Sequence, residues 1–372
     1  MFVSHVLRQL ADGPKVALDL CASPGGKSTA MLGALPPGSV LFCNEPIRSR
    51  AHVLAENLSK YGHPDVVVTN NYPKDYERSG LMFDLILTDV PCSGEGMFRK
   101  DEGAIEEWSL QHVRQCHLLQ REIVGSAWKC LRPGGVLIYS TCTFNREENE
   151  DNLLWMKEEL GAEPQEIAID PTWGIQGSMV EGCTLPCYRF LPGFTKGEGL
   201  FMAVVRKGED ANPPRTFRPP SRSSQHPPRL SQKEGAKALE WIEKGEEYEG
   251  RWHGDTLFAL PKRWASWVNK SPLGIMQAGV ALGTSKGKDF VPDSRLALSL
   301  ALRKDAFANV SLDYGQAIRY LQREALTLEG APRGIVLLTY QDLPLGFAKN
   351  LGNRANNLYP NEWRIRSKEK FY

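Results

Sequence analysis

The sequence predicts an α/β protein: a doubly wound parallel-sheet domain followed by a smaller, mixed α/β region. Three observations carry this expectation. Short apolar runs at 15–20, 40–44, 66–68, 83–87 and 136–139 read as strands covered on both faces. Helical patterns separate most of them, so strand and helix alternate through the first half of the chain. The runs end in loops rich in glycine, acidic residues and cysteine, where a doubly wound sheet forms its ligand crevice.

With 372 residues the chain is long for one domain and long enough to bury a sizeable core. The composition divides it into a domain over 1–207, a Pro/Arg/Ser-rich linker over 208–229 and a C-terminal region over 230–372. The formal net charge of +1 argues neither for nor against a nucleic-acid partner, so any basic surface must arise by local clustering. The 8 cysteines include no CxxC spacing, which disfavours a zinc or thioredoxin-type site, and no metal is expected. The start lacks a basic segment followed by a long apolar stretch, and no apolar run approaches the ~20 residues of a membrane span. A monomer in the reducing cytoplasm, with no membrane partner, is the expectation.

The elements follow in order. A short amphipathic helix from Phe2 stops at Asp12-Gly13-Pro14, and the first strand covers 15–20. It runs into Cys21-Ala22-Ser23-Pro24-Gly25-Gly26-Lys27, a tight glycine turn that lets backbone N–H groups and a helix N-terminus approach a ligand. An ordinary strand-to-helix turn is the competing reading. The Gly26-Lys27-Ser28 run imitates the end of a phosphate-binding loop, but Cys21 stands where that loop needs a glycine. The second strand ends in Glu45, and an acidic residue at such a tip commonly holds a ribose diol. A helix over 48–61 and a third strand at 66–68 lead to Asn70-Asn71-Tyr72, and the fourth strand ends at Asp89.

Beyond that strand lies Val90-Pro91-Cys92-Ser93-Gly94-Glu95-Gly96, then Arg99 and Lys100, then a long helix over 112–131. The fifth strand delivers Tyr139-Ser140-Thr141-Cys142-Thr143 to the same edge, so two thiols and Asp89 share one cleft, an arrangement suited to covalent chemistry. The strongly acidic helix over 147–160 reads as a solvated face, and a late strand at 200–205 completes the sheet. In the C-terminal region, strands are expected at 257–260, 279–282 and 335–339, with helices at 294–303 and 315–325. Its end clusters Lys349, Arg354, Arg364, Arg366, Lys368 and Lys370 with Tyr340, Phe347, Tyr359 and Trp363. Cations for phosphates and aromatic faces for bases are what an RNA-binding surface requires; a solvated face over core aromatics is the alternative.

Three motifs, Asp19 to Thr29, Asp89 to Lys100 and Tyr139 to Glu150, together resemble the RNA 5-methylcytosine methyltransferases of the NOL1/NOP2/Sun family, most closely its bacterial 16S rRNA members of the RsmF type. Leu345-Gly346-Phe347 and Asn357-Leu358-Tyr359-Pro360 extend the resemblance to the PUA-like RNA-binding part of those enzymes. It implies a Rossmann-like class I methyltransferase domain, S-adenosyl-L-methionine as cofactor, and rRNA or the small ribosomal subunit as partner. It also implies residue roles. The loop from Cys21 to Lys27 would hold the amino-acid end of the cofactor, and Glu45 its ribose. Cys142 would attack C6 of cytosine, and Asp89, near the cofactor, would assist protonation at N3. Cys92 would assist loss of the C5 proton and release of the adduct, and Arg99 and Lys100 would meet the RNA backbone, as would Lys349, Arg354 and Arg364. A tRNA-directed enzyme of the same chemistry and a catalytically impaired RNA-binding relative are the alternatives. The family carries a further segment ahead of the first motif where this sequence begins at Met1, so a truncated or misplaced start is expected. At Asn70-Asn71-Tyr72 the sequence departs from relatives that carry an acidic residue near the adenine.

Overall fold

The computed structural model describes residues 1–209, 232–286 and 289–366. Most of the expected linker therefore lies outside the described residues, as do Lys368 and Lys370. Through the first half the elements are α1 (Phe2–Leu10), β1 (Val16–Asp19), α2 (Gly26–Leu32), β2 (Val40–Asn44), α3 (Arg48–Tyr61), β3 (Val66–Thr69), α4 (Pro73–Ser79) and β4 (Phe83–Asp89). Then come α5 (Glu102–Glu107), α6 (Leu110–Cys130), β5 (Leu131–Thr141), α7 (Glu150–Leu160), β6 (Ala162–Pro164), β7 (Tyr188–Phe190) and β8 (Leu200–Lys207). The remainder holds α8 (Gln232–Leu239), β9 (Tyr248–His253), β10 (Thr256–Pro261), α9 (Lys262–Lys270), β11 (Ile275–Ala278), β12 (Val280–Lys286), β13 (Asp289–Pro292), α10 (Ser294–Ala297), β14 (Ala308–Ser311), α11 (Tyr314–Leu321), β15 (Gly334–Tyr340), β16 (Leu343–Asn350) and β17 (Ala355–Asn357).

Two compact units emerge. The first comprises Met1–Ala55, Val66–Ser221 and Asn269–Gln277, and the second Glu56–Asp65, Arg222–Val268 and Ala278–Tyr372. Residues 269–277, which the composition groups with the C-terminal region, thus belong to the first unit.

The first unit is built on a 9-stranded sheet in the order β11-β3-β2-β1-β4-β5-β8-β6, with β7 beside β8. The pairs β2–β3, β1–β2, β1–β4 and β4–β5 are parallel, and β8 runs antiparallel to β5. Every residue of β2 and β3 is buried, which is why these strands read as unbroken apolar runs. The strand order reverses between β1 and β4, so the carboxyl ends of β1, β2, β4 and β5 converge at the switch point. The long helix α6 starts where the Ser109 side chain accepts a hydrogen bond from His112 N, satisfying an otherwise orphaned first-turn donor.

The second unit holds two four-stranded sheets, β13-β12-β10-β9 and β14-β15-β16-β17. One core cluster, with Leu257, Leu282, Leu296, Leu337 and Phe347, takes residues from both. A second packs Tyr320 of α11 against Val336 and Leu338. The helix expected over 294–303 ends at Ala297 because the backbone is bonded elsewhere: Leu300 N donates to Gly62 O at 2.9 Å. α11 is held at its start by a reciprocal cap between Asp313 and Gln316.

Candidate active site

The glycine turn after β1 is tied down at both ends. Ala22 N donates to Asn44 O at 2.8 Å, so the turn starts against the tip of β2. Gly25 then takes φ 112, a conformation that L side chains rarely adopt, and α2 begins at the next residue. Beneath the turn Asp19 is fully buried; Ser28 Oγ donates to its Oδ2 at 2.7 Å, while Oδ1 has no hydrogen-bond partner among the described residues. Burial, with Asp89 nearby, lifts this carboxyl to about 7. Glu45 is buried too, accepting Ile47 N at 2.9 Å and facing Arg50 at 3.4 Å; Arg50 also donates to Ser23 O. Asn70, beyond β3, spends its amide on the carbonyls of Glu45 and Pro46 and so buttresses that tip.

Three distant stretches meet at Asp89. Lys27 Nζ from the glycine turn lies 2.8 Å from Asp89 Oδ2, and Ser140 Oγ from β5 donates to Oδ1. The two predicted thiols are in contact: Cys92 Sγ and Cys142 Sγ are 3.1 Å apart, and Cys142 N donates to Cys92 Sγ at 3.3 Å. The hydrogen bond shared with Cys92 holds the Cys142 thiol below its ordinary range, with the Lys27 ammonium acting in the same direction against burial and Asp89. The same hydrogen bond and burial push Cys92 well up. Of the two thiols, Cys142 is thus the more acidic and Cys92 the less.

Residues that the sequence motifs do not single out hold these loops. Gly96 N donates to Cys142 O at 2.8 Å, and a Cβ at Gly96 would sit 2.6 Å from that oxygen, so the close approach requires glycine. Glu95 Oε2 accepts Phe144 N at 2.7 Å and Asn145 N at 2.9 Å; its Oε1 accepts Trp108 Nε1 at 3.0 Å and Asn145 Nδ2 at 3.2 Å. Glu148, fully buried, accepts Ser93 N at 3.1 Å, Gln120 Nε2 at 2.6 Å and Asn145 Nδ2 at 2.7 Å. Glu150 pairs with the equally buried Arg189, whose Nη1 donates to Phe144 O at 2.9 Å. The expectation of a solvated acidic face over 147–160 is therefore corrected at its first turn. Glu148, Asn149 and Glu150 are buried because each has a partner, while Glu158 and Glu159 are exposed as expected. Their proximity to Cys142 in one motif was the available signal.

The predicted RNA contacts divide. Arg99 and Lys100 are exposed but both lie near Glu198, at 3.7 and 3.8 Å. Lys349, Arg354 and Arg364 are exposed in the second unit. Phe347 is not available to stack on a base: it is fully buried, with its ring centroid 4.7 Å from that of Phe307. Tyr359 is half-buried between Tyr320 and Trp363. No helix among the described residues is long and apolar enough to cross a membrane.

Comparison with known proteins adds two family matches. The profile described as 16S rRNA methyltransferase RsmB/F matches residues 8–206, and that of the methyltransferase RsmF PUA domain matches residues 307–365. The ribosomal RNA small subunit methyltransferase F of Enterobacter sp. (strain 638) is 32% identical over 363 residues, covering 94% of this chain and 72% of its own. The protein of that name from Citrobacter koseri is 31% identical, covering 94% of this chain and 73% of its own. Among solved structures, NSun6 from Pyrococcus horikoshii with SFG aligns at a TM-score of 0.49 and 30% identity, over 56% of this chain and 51% of that one.

Proposed function

The chain belongs to the family of 16S rRNA methyltransferases RsmB/F, and from that membership we propose how its residues carry out methylation at C5 of a cytosine in ribosomal RNA. The contact between Cys142 and Cys92 at 3.1 Å, beside the Lys27–Asp89 pair, is the observation that carries the reading.

The residues fit S-adenosyl-L-methionine. The loop from Cys21 to Lys27 would hold its amino-acid end over the open oxygen of Asp19, and Glu45 would hold its ribose hydroxyls. When bound, it supplies an electrophilic methyl group. An aromatic carbon is too weak a nucleophile for that methyl, and the cysteine solves the problem. The Cys142 thiolate bonds to C6 of the unstacked base, the C5–C6 π pair moves toward N3, and Asp89 assists protonation there, leaving C5 enamine-like. After methylation the C5 proton passes to solvent water with the assistance of Cys92, the pair left behind re-forms C5=C6 as the C6–S bond breaks, and N3 gives its proton back by way of Asp89. Cys92, its sulfur 3.1 Å from that of Cys142, stabilises the departing thiolate by hydrogen bonding. Arg99 and Lys100, and in the second unit Lys349, Arg354 and Arg364, would meet RNA phosphates.

The two thiols separate the steps. Cys142→Ala is expected to abolish both methylation and any covalent protein–RNA species. Cys92→Ala is expected to attack and methylate but to release slowly, leaving a denaturant-resistant band whose RNA carries the methyl group. Labelled cofactor and an rRNA fragment, resolved on a denaturing gel, read both. A band from Cys142→Ala and none from Cys92→Ala would reverse the roles, and full turnover by both variants would end the covalent reading.

A further inference from the structure

We propose that Glu95 and Glu148 are positioning residues that act crosswise: the carboxylate in each cysteine's own loop aligns the other cysteine. The inference rests on the covalent reading above and adds two residues and a division of labour to it.

Glu95 lies three residues after Cys92, yet its Oε2 grips the backbone N–H groups of Phe144 and Asn145, just after Cys142. The same stretch is held by Gly96 N on Cys142 O and by Arg189 on Phe144 O. Glu148 lies six residues after Cys142, yet it grips Ser93 N and Gln120 Nε2. Gln120 Nε2 also donates to Pro91 O at 2.9 Å. The backbone groups on either side of Cys92 are therefore held by the Glu148–Gln120 pair. Asn145 Nδ2 reaches both carboxylates, at 3.2 Å to Glu95 and 2.7 Å to Glu148, and joins the two grips.

The chemistry of the side chains explains why both are carboxylates. Every group aimed at Glu95 is an N–H donor: two backbone amides, the Trp108 indole and the Asn145 amide. Those aimed at Glu148 are Ser93 N, Gln120 Nε2 and Asn145 Nδ2. Only an ionised carboxylate offers acceptors alone on both oxygens; a carboxamide turns an NH2 toward a donor. The neutral, near-isosteric Gln variant thus disturbs the alignment without removing volume. A thiol pair that must pass a proton between atoms 3.1 Å apart is sensitive to such a shift, since displacements near 1 Å at a reacting centre cost roughly 10²-fold.

The test compares Glu95→Gln and Glu148→Gln with Cys142→Ala and Cys92→Ala in the intact chain, using labelled S-adenosylmethionine and an rRNA fragment. Glu148→Gln should behave as a weaker Cys92→Ala, accumulating methylated adduct. Glu95→Gln should behave as a weaker Cys142→Ala, forming less adduct at a lower rate. A readout without RNA accompanies it: iodoacetamide labelling of each thiol against pH, followed by mass spectrometry. Wild type should label Cys142 at lower pH than Cys92, and both Gln variants should narrow that gap while keeping a cooperative melt. Should Glu148→Gln fail to fold, Gln120→Met removes the grip on Pro91 O and should likewise trap adduct. The reverse assignment, equal impairment of attack and release in both variants, or an unchanged labelling gap would overturn the proposal. Full turnover by both Cys142→Ala and Cys92→Ala would instead remove the covalent reading beneath it.

Discussion

Asp19 shows what a single residue carries. It ends a strand whose apolar run was plain in the sequence, and it is fully buried with one oxygen unbonded among the described residues. Its carboxyl is lifted to about 7 by burial, above an unfolded value near ~4. Between those values the folded chain binds more protons than the unfolded one, so stability falls as pH rises through the window and the loss is complete above it. Asp19→Asn removes the ionisation. Its melting curve, compared with wild type in the cofactor-free protein, should gain on the order of 3 kcal/mol in relative stability from pH 5 to pH 8. Parallel curves across that range would mean that the carboxyl is not desolvated. The sequence placed Asp19 at the strand end, but a lifted proton affinity depends on which side chains close over it.

At the scale of the element, the loops after β4 and β5 are one object. Each had turn and motif signals of its own, and Cys92, Asp89 and Cys142 were legible from them. Their mutual contacts were not, because Gly96, Glu95 and Glu148 find partners in the other loop some fifty residues away in sequence, at separations of 49 to 55 for the side-chain bonds that join the two loops. Gly96→Ala tests the closeness of the two loops. Its Cβ would lie 2.6 Å from Cys142 O and 3.2 Å from Glu198 O, so one loop must give way. We expect destabilisation of ~1–3 kcal/mol and a fall in methylation rate of roughly 10²-fold, read by denaturant unfolding and by turnover. Wild-type turnover would show that the thiols tolerate a wider gap.

For the whole molecule, a domain boundary drawn on composition is a poor guide to where to cut. Residues 269–277 join the first unit, and β11 lines the edge of its sheet beside β3. A truncation after the linker would strip that strand as well as most of the second unit, leaving Glu56–Asp65 behind. Charge reversal separates the functions without cutting. Lys349→Glu with Arg354→Glu and Arg364→Glu should weaken RNA binding and flatten its salt dependence, by about 0.7–0.9 in logarithmic slope for each phosphate no longer neutralised. Calorimetric affinity for S-adenosylhomocysteine should be unchanged. An unaltered salt slope would leave the exposed cations of this region as a solvated surface.

The sequence by itself determined the five parallel strands of the first sheet, the four strand tips where the candidate site gathers, and the two cysteines there. Those are local properties: apolar periodicity, turn residues and motif spacing act within a few residues. Tertiary structure alone decided which acidic side chains are buried, since Glu148 and Glu150 differ from exposed Glu158 and Glu159 only in the partners that distant elements bring to them. It also decided that Phe347 is core and that β11 belongs to the first sheet. A buried charge or an edge strand is permitted only where a complementary group arrives from elsewhere in the chain, and no local pattern records that arrival.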